Sequence, residues 1–130
     1  MPSANKISIN LMTDHIAETV RFYTDLLGFE LTMSVPEEAP FNWVQLSSGK
    51  AELMFQTRES MASEVAEFED AKIGGSFGLY IEVSGLQEMH DKLSGLHLAV
   101  TSVEEKFYGM NECHIKDPNG YFLTLAEKAK

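Results

Sequence analysis

Residues 112–126 of the chain read ECHIKDPNGYFLTLA, and this stretch predicts a β-hairpin. Side chains alternate with period two over 112–116 and again over 121–126, as they do in half-buried strands. Between these strands the tetrapeptide DPNG is a turn sequence, because Pro118 presets the φ angle that a type I turn needs and Gly120 tolerates a positive φ. A hairpin alone is not stable in water, so this one must belong to a larger sheet.

The chain repeats one order of elements. Residues 6–57 predict a strand, a helix and three strands, and residues 76–127 predict the same order again. Residues 58–75 between them predict a linker with one weak amphipathic helix. Neither half could bury enough apolar area alone, so the halves are expected to pair. We therefore predict a single α+β domain, residues 1–130, in which two βαβββ modules form a curved mixed sheet around a concave cup.

The limits of the elements follow from periodicity and from Gly and Pro residues. Strands are predicted at 6–12, 29–35, 41–47, 51–57, 77–83 and 98–107, in addition to the hairpin. The first helix is expected to begin at Thr13 or Asp14 and to end at Gly28, and the second to end at Gly95.

Alternation along the strands also assigns side chains to two faces. The residues expected to face the helices are Ile7, Ile9, Leu11, Leu53, Phe55, Leu79, Ile81, Val83, Leu123 and Leu125. An aromatic, Met, amide and carboxylate lining of the cup is typical of a small-molecule site. The candidate ligand-binding residues are Trp43, Gln45, Glu52, Met54, Tyr80, Glu82, Tyr108, Glu112, His114 and Phe122.

These residue types allow more than one role. The carboxylates could hold a cation or act as a general base if burial raises a pKa, or they could simply be solvated. The aromatic rings could stack on a planar or cationic ligand, or they could fill the sheet. His114 shares the cup face with Glu112 and could transfer a proton or anchor a ligand, whereas the other three histidines are expected at the surface or in packing. Cys113 is expected to face the core.

Composition excludes some functions. Twenty acidic and ten basic residues give a net charge of −10, which does not suit binding to the phosphates of nucleic acid. No apolar run approaches the length of about 20 residues that a membrane span needs. The single Cys113 cannot form an intrachain disulfide, so a cytoplasmic location is expected.

Three stretches carry a family resemblance: ETVRFYTDLLGFEL, GLYIEVSGLQEMHDKL and YGMNECHIKDPNGYFLTLAE. They resemble the vicinal oxygen chelate superfamily, which includes glyoxalase I, extradiol dioxygenases, and fosfomycin- and bleomycin-resistance proteins. The resemblance extends from Lys6 to Glu127 and implies the paired-module fold. The FY…LG and DPNGY motifs are structural signatures and do not identify a reaction.

The resemblance also implies four metal-ligand positions. They fall at Ser8, at Glu52 or Met54 depending on the register, at Gly78 and at Thr124. Serine, threonine and glycine cannot replace imidazole or carboxylate ligands, so we expect neither a metal nor a cofactor. The chain is closer to the metal-free bleomycin-resistance branch, whose members are acidic dimers that sequester a cationic drug, and this implies a homodimer.

The preferred hypothesis is therefore metal-independent binding of a small organic molecule, such as an amphiphilic or cationic one, with resistance by sequestration as a biological use. The first alternative is a metal-dependent lyase, isomerase or dioxygenase of the same superfamily. The second alternative is a non-catalytic interaction module whose cup is filled by its own side chains.

Overall fold

A computed structural model describes residues 2–130, which form two compact units. Unit 1 extends to Ala71, and unit 2 covers Lys72–Lys130. Each unit contains a four-stranded mixed sheet accompanied by helices. The predicted α+β class with two βαβββ modules is therefore confirmed. The joining of both sheets around one cup stays a prediction, as do the limits of the modules and the linker.

Unit 1 has the sheet order β1-β4-β3-β2. Its elements are β1 (Asn10–Thr13), α1 (Ile16–Arg21), β2 (Glu30–Val35), β3 (Trp43–Ser48), β4 (Ala51–Thr57) and α2 (Arg58–Glu64). β1 runs parallel to β4, and the other two pairs are antiparallel. The segment predicted as a linker therefore begins with α2, and a short 3₁₀ turn follows at Ala66–Phe68.

Helix α1 does not continue as an α-helix up to Gly28, where the sequence predicts the end of the helix. It passes directly into a π-helical segment, Phe22–Leu26. The chain leaves this segment at Gly28, whose φ of 76° confirms the predicted left-handed residue. The Phe29 N–H then donates to the Tyr23 carbonyl over 3.0 Å. Because π-helical residues rotate the buried side of a helix, Phe22 is buried in the core next to Tyr23.

Unit 2 has the corresponding sheet order β5-β8-β7-β6. Its elements are β5 (Gly78–Glu82), α3 (Leu86–Gly95), β6 (Glu104–Glu105), β7 (Met110–Lys116) and β8 (Phe122–Lys128). The Glu127 carboxylate accepts the Gly85 and Leu86 N–H groups over 2.9 and 3.1 Å, and so caps the start of α3. These two backbone donors lower the pKa of Glu127.

The hairpin formed by β7 and β8 confirms the prediction from its turn sequence. Cys113 pairs with Leu125, and Ile115 pairs with Leu123. In the turn, Asp117 Oδ1 accepts the Asn119 and Tyr121 N–H groups over 2.8 and 2.9 Å. The alternate apolar side chains are buried on the side of the sheet that contacts α3, and Cys113 lies fully buried among them.

The first strand is shorter than predicted. Regular pairing with β4 begins at Asn10, although 6–12 was the expected range. Leu11 is buried as predicted, but Ile7 and Ile9 are 86% and 42% exposed. Alternation predicts which side chains share a face but not whether another element covers that face, and this is why the prediction for Ile7 and Ile9 was wrong.

The strand predicted at 98–107 is also wrong over most of its length. Only Glu104–Glu105 forms regular strand structure there. The segment before β6 contacts β7 through two hydrogen bonds. The Thr101 N–H donates to the His114 carbonyl, and the His114 N–H donates to Thr101 Oγ1. A side-chain oxygen thus replaces the carbonyl that a regular ladder would use. Gly95 is the last residue of α3. The left-handed backbone conformation that follows the helix is found at His97, which has a φ of 63°.

Candidate functional site

The sheet of unit 2 packs one face against α3, and we call its other face the open face. Strand register defines two rows of side chains on it. The first row contains Tyr80, Thr124 and His114, and the second contains Glu82, Ala126 and Glu112. Phe122 also belongs to the open face and is more than one-third exposed.

Glu112 is the buried carboxylate of the open face, with 4% of its surface exposed. The hydroxyl groups of Tyr80 and Tyr108 each donate to its Oε2 over 2.6 Å. Its other oxygen, Oε1, has no hydrogen-bond partner among residues 2–130 and is not sealed from solvent. We call Tyr80, Tyr108 and Glu112 the carboxylate cluster.

Tyr80 reaches Glu112 across the strand that separates them. Tyr80 lies on β5 and Glu112 on β7, with β8 between the two strands. The β8 residue opposite Glu112 is Ala126, which is fully buried. Its methyl group leaves room for the phenol to cross, and a larger side chain at this position would occupy that path.

The hydrogen bonds of the cluster move its pKa values in opposite directions. The bond to Glu112 raises the pKa of Tyr80 to about 12, and the same acceptor raises the pKa of Tyr108. Hydrogen bonds from Tyr108 and Tyr80 lower the pKa of Glu112 more than its desolvation raises it. At neutral pH the carboxylate is therefore charged, and both phenols are protonated.

A groove of about 300 Å³ lies beside β7 and reaches the open face at His114, two residues along the strand from Glu112. It is lined by Leu98, Ala99, Thr101, His114, Ile115, Lys116 and Phe122. The His114 ring lies over Phe122, with 5.2 Å between the ring centroids and 30° between the ring planes. His114 Nδ1 is 3.0 Å from Thr124 Oγ1, which fixes the orientation of the imidazole. Apolar side chains thus surround a few polar groups, the usual composition of a ligand groove.

The corresponding face of unit 1 holds different groups. Trp43, Gln45 and Met54 share this face and are partly buried. Beside them Gln56 is buried in a polar string: Asn10 Nδ2 donates to Gln56 Oε1 over 2.7 Å, and Gln56 Nε2 donates to Glu64 Oε1 over 2.7 Å. Asn10 Oδ1 is buried without a partner among the described residues.

The larger cavity of unit 1, of about 630 Å³, is not lined by any of these residues. Arg58 is one of its lining residues and forms an ion pair with Asp14, in which Nε is 3.1 Å from Oδ1. Its Nη1 also donates to the carbonyls of Glu69 and Ala71 over 3.1 and 2.7 Å. These contacts of Arg58 connect the chain after α2 to the end of β1. The role of Arg58 in this cavity is therefore structural.

The positions that the family resemblance assigns to metal ligands do not fit a metal ion. Ser8, Gly78 and Thr124 lack imidazole and carboxylate groups. Glu52 is exposed, and its Oε1 forms an ion pair with Lys6 Nζ at 3.0 Å. Within residues 2–130, no three His, Cys, Asp or Glu side chains come together in a way that could hold a metal ion.

The structure thus brings together some of the candidate residues and separates others. Tyr80, Tyr108, Glu112, His114 and Phe122 lie on or beside the open face of unit 2. Glu82 is exposed at its edge. The role of the ten candidates in ligand binding stays a prediction. Sequence reasoning missed five residues that line the groove: Leu98, Ala99, Thr101, Ile115 and Lys116. The first three were missed because the segment 98–107 was expected to be a regular strand.

Comparison with known proteins gives a family match. The sequence model of the Glyoxalase/Bleomycin resistance protein/Dioxygenase superfamily matches residues 7–125. No sequence among the curated proteins matches the chain.

In the part of the chain that the structure describes, no helix is both long enough and apolar enough to cross a membrane.

Several solved structures share the fold. A lactoylglutathione lyase from Agrobacterium tumefaciens is 20% identical, with 97% of this chain and 95% of the other covered and a TM-score of 0.70. An antibiotic binding protein from a Streptomyces species is 18% identical, with 99% of both chains covered and a TM-score of 0.73. A bleomycin resistance determinant encoded on a transposon is 18% identical, with 96% of this chain and 98% of the other covered and a TM-score of 0.65. At these identities the comparison shows the fold alone.

Proposed function

The chain belongs to the glyoxalase/bleomycin resistance protein/dioxygenase superfamily, and we propose that it binds a small organic molecule without a metal ion. The observation that carries this proposal is the carboxylate cluster. A buried, charged Glu112 presents one unpartnered oxygen beside two tyrosine rings that are each 52% exposed. Such a constellation attracts a ligand and orients it by few polar contacts.

The chemistry of the open face favours a ligand with a positive and an apolar part. The Glu112 charge and the faces of Tyr80 and Tyr108 attract a cation. The groove next to them offers Phe122, Leu98 and Ala99 to an apolar body. Glu112 and His114 are two residues apart on β7, so the two parts of the ligand would lie about 7 Å apart.

The pKa values of the cluster support binding over acid–base catalysis. A general base works best when its pKa lies near the operating pH. The lowered pKa of Glu112 makes it a weak base, and the raised pKa values of Tyr80 and Tyr108 make the phenols weak acids. The metal-dependent lyase, isomerase or dioxygenase alternative also lacks a suitable set of donors among the described residues.

Exposure of the aromatic rings argues against the alternative of a cup filled by its own side chains. If the cup were filled within unit 2, Tyr80, Tyr108 and Phe122 would be buried by their neighbours. Each of them is instead substantially exposed. Exposed aromatic surface beside a charged group is a common feature of binding sites.

Resistance by sequestration is the biological use that we propose. Its support is the shared fold with an antibiotic binding protein and a bleomycin resistance determinant. We propose that the protein acts in the cytoplasm. We also propose that it is a homodimer, because the apolar side chains of Met33 and Val35 are exposed on the edge strand β2. Light scattering on the purified protein measures the oligomeric state.

Metal analysis and a thermal-shift screen test the proposal together. We expect the purified protein to carry no stoichiometric transition metal and Zn²⁺ or Ni²⁺ to leave its Tm unchanged. In a screen of metals, glutathione adducts, phenols and cationic antibiotics, a cationic antibiotic should raise the Tm, because a ligand stabilises the state that binds it. A stoichiometric metal, or a strong Tm rise with a metal alone, would favour the enzyme alternative.

A further inference from the structure

We infer that the carboxylate cluster selects ligands with a primary ammonium group over ligands with a guanidinium group. The inference rests on the proposed function, because it describes how the same open face would recognise the positive end of a ligand. Its basis is the unequal use of the two Glu112 oxygens.

The two phenols saturate one oxygen of Glu112. A carboxylate offers about four acceptor positions, two on each oxygen. Tyr80 and Tyr108 both donate to Oε2 over 2.6 Å, so they occupy both acceptor positions of that oxygen. Only Oε1 retains free positions, and it has no partner among residues 2–130.

A guanidinium group forms its strongest carboxylate contact with two parallel N–H···O bonds, one to each oxygen. With Oε2 already occupied, this forked geometry at Glu112 would require the loss of at least one phenol bond. An ammonium group is a compact charge whose three donors need no second oxygen. It can therefore use Oε1 alone while the phenol bonds remain in place.

The neighbouring positive groups do not close Oε1. Lys106 and His114 both lie near enough for their charge to favour the ionised form of Glu112. Each has another partner: Lys106 Nζ pairs with Glu104 Oε1 at 3.2 Å, and His114 Nδ1 is 3.0 Å from Thr124 Oγ1. Lys116 lines the groove four residues along β7 from Glu112 and repels a cation, so it favours the orientation with the positive end at Glu112.

Three probes that share one apolar body test the selection: 2-phenylethylamine, 2-phenylethylguanidine and 2-phenylethanol. Each is titrated at pH 7 into the full, metal-depleted chain, and dissociation constants are taken from amide shifts in NMR spectra. We expect the amine to bind about tenfold more tightly than the guanidine, equivalent to the loss of one charge-assisted hydrogen bond.

Variants of the cluster give the direct check. In the double variant Tyr80→Phe/Tyr108→Phe, the rings and the carboxylate remain but Oε2 is free, so the preference should fall to about threefold or less. In Glu112→Gln the amine should bind no more tightly than the alcohol. Glu30→Gln removes the same charge from an exposed position on β2 and should leave the preference unchanged.

The outcomes separate the inference from the proposed function. If the alcohol and both cations shift open-face signals but the guanidine binds as tightly as the amine, the inference fails and the proposed function stands. The inference also fails if the double variant keeps the tenfold preference. If the double variant does not fold, the single variant Tyr108→Phe, which frees one acceptor position, must still narrow the preference. If no probe shifts open-face signals at millimolar concentration, both fail.

Discussion

The two units have the same strand order but different chemistry at one corresponding row. In unit 1 the row across β1, β4 and β3 is Met12, Gln56 and Trp43. In unit 2 the row across β5, β8 and β7 is Glu82, Ala126 and Glu112. The central residue is a long amide in one unit and a methyl group in the other.

This central residue decides which side chains can meet. Gln56 fills the middle of its row and joins Asn10 to Glu64 through its own amide. Ala126 leaves the middle of its row open, and Tyr80 crosses it to reach Glu112. The same strand order therefore carries a polar string in one unit and a buried carboxylate with two phenol donors in the other, and the length of the central side chain is one of the differences that allow this.

Filling the central position of unit 2 should have the largest effect. Ala126 is fully buried, so Ala126→Leu overpacks the row and should lower the free energy of unfolding by about 2–3 kcal/mol. It should also break the Tyr80–Glu112 bond and return the pKa of Tyr80 from about 12 toward 10.0. Urea unfolding and ultraviolet titration of tyrosine measure the two effects.

Ala126→Gly is the control, because it leaves the path open and should keep the raised pKa of Tyr80. A Tyr80 pKa that stays raised in Ala126→Leu would contradict the proposed path of the phenol.

Emptying the central position of unit 1 should have an intermediate effect. Gln56→Ala removes the acceptor of Asn10 and the donor to Glu64, so both lose a hydrogen-bond partner. Glu64 is exposed and can be solvated instead, so the cost comes mainly from the part-buried Asn10 amide, and we expect a loss of about 1 kcal/mol in the free energy of unfolding. Gln45→Ala on the same face, outside the string, is the control and should cost less than about 0.5 kcal/mol. Equal costs for the two variants would show that the string does not stabilise unit 1.

Removing the charge of the cluster should change titration more than stability. In Glu112→Gln the pKa of Tyr80 should move from about 12 toward 10.0, because the charged acceptor is the largest cause of its shift. The pKa of Tyr108 should fall as well. Ultraviolet titration compares the variant with Glu30→Gln, which should titrate as the wild type does. An unchanged Tyr80 pKa would mean that the cluster does not form in solution.

The stability change in Glu112→Gln should depend on pH. The lowered pKa of Glu112 stabilises the fold above its ordinary value of 4.5, and this contribution is lost as the pH falls through the folded-state pKa. The raised pKa of Tyr80 stabilises the fold below 10.0, and that contribution is lost as the pH rises toward about 12. Urea unfolding of variant and wild type should differ most between these limits, and a difference independent of pH would contradict the assignment.

The smallest effect is expected at the exposed carboxylate of unit 1. Glu52 forms an ion pair with Lys6 at 3.0 Å, and both side chains are more than 40% exposed. Lys6→Ala should therefore change the free energy of unfolding by less than about 0.5 kcal/mol. Thermal unfolding in low and high salt measures it. A loss above 1 kcal/mol would show that Glu52 is held in a site that the exposure of the pair does not reveal.

The parts of the fold that depend on local pattern could be predicted from the sequence. The β7–β8 hairpin follows from alternation and from the turn residues, and Gly28 marks the end of the first helical segment. Ile7 could not be predicted in this way, because its exposure depends on whether a distant element covers it. The irregular segment before β6 was missed because a Thr101 side chain replaces a ladder bond there.

The candidate site shows the same limit. Tyr108 and Glu112 are four residues apart, but Tyr80 and Glu112 are 32 apart, so their contact depends on strand register. Alternation placed Tyr80 and Glu112 on the same face, as the strand register shows, but gave no information on the small residue between them. The burial of Glu112 and the direction of its pKa shift follow from that contact and could not be derived from the sequence.

The most direct test of metal-independent binding is a calorimetric titration of chelator-treated protein with 2-phenylethylamine, followed by the same titration with added Zn²⁺. Glu112→Gln serves as the matched variant in both. We predict measurable binding to the metal-free protein, no change of affinity with Zn²⁺, and clearly weaker binding in Glu112→Gln. Binding that appears only after Zn²⁺ is added, or that is equally strong in Glu112→Gln, would contradict the account.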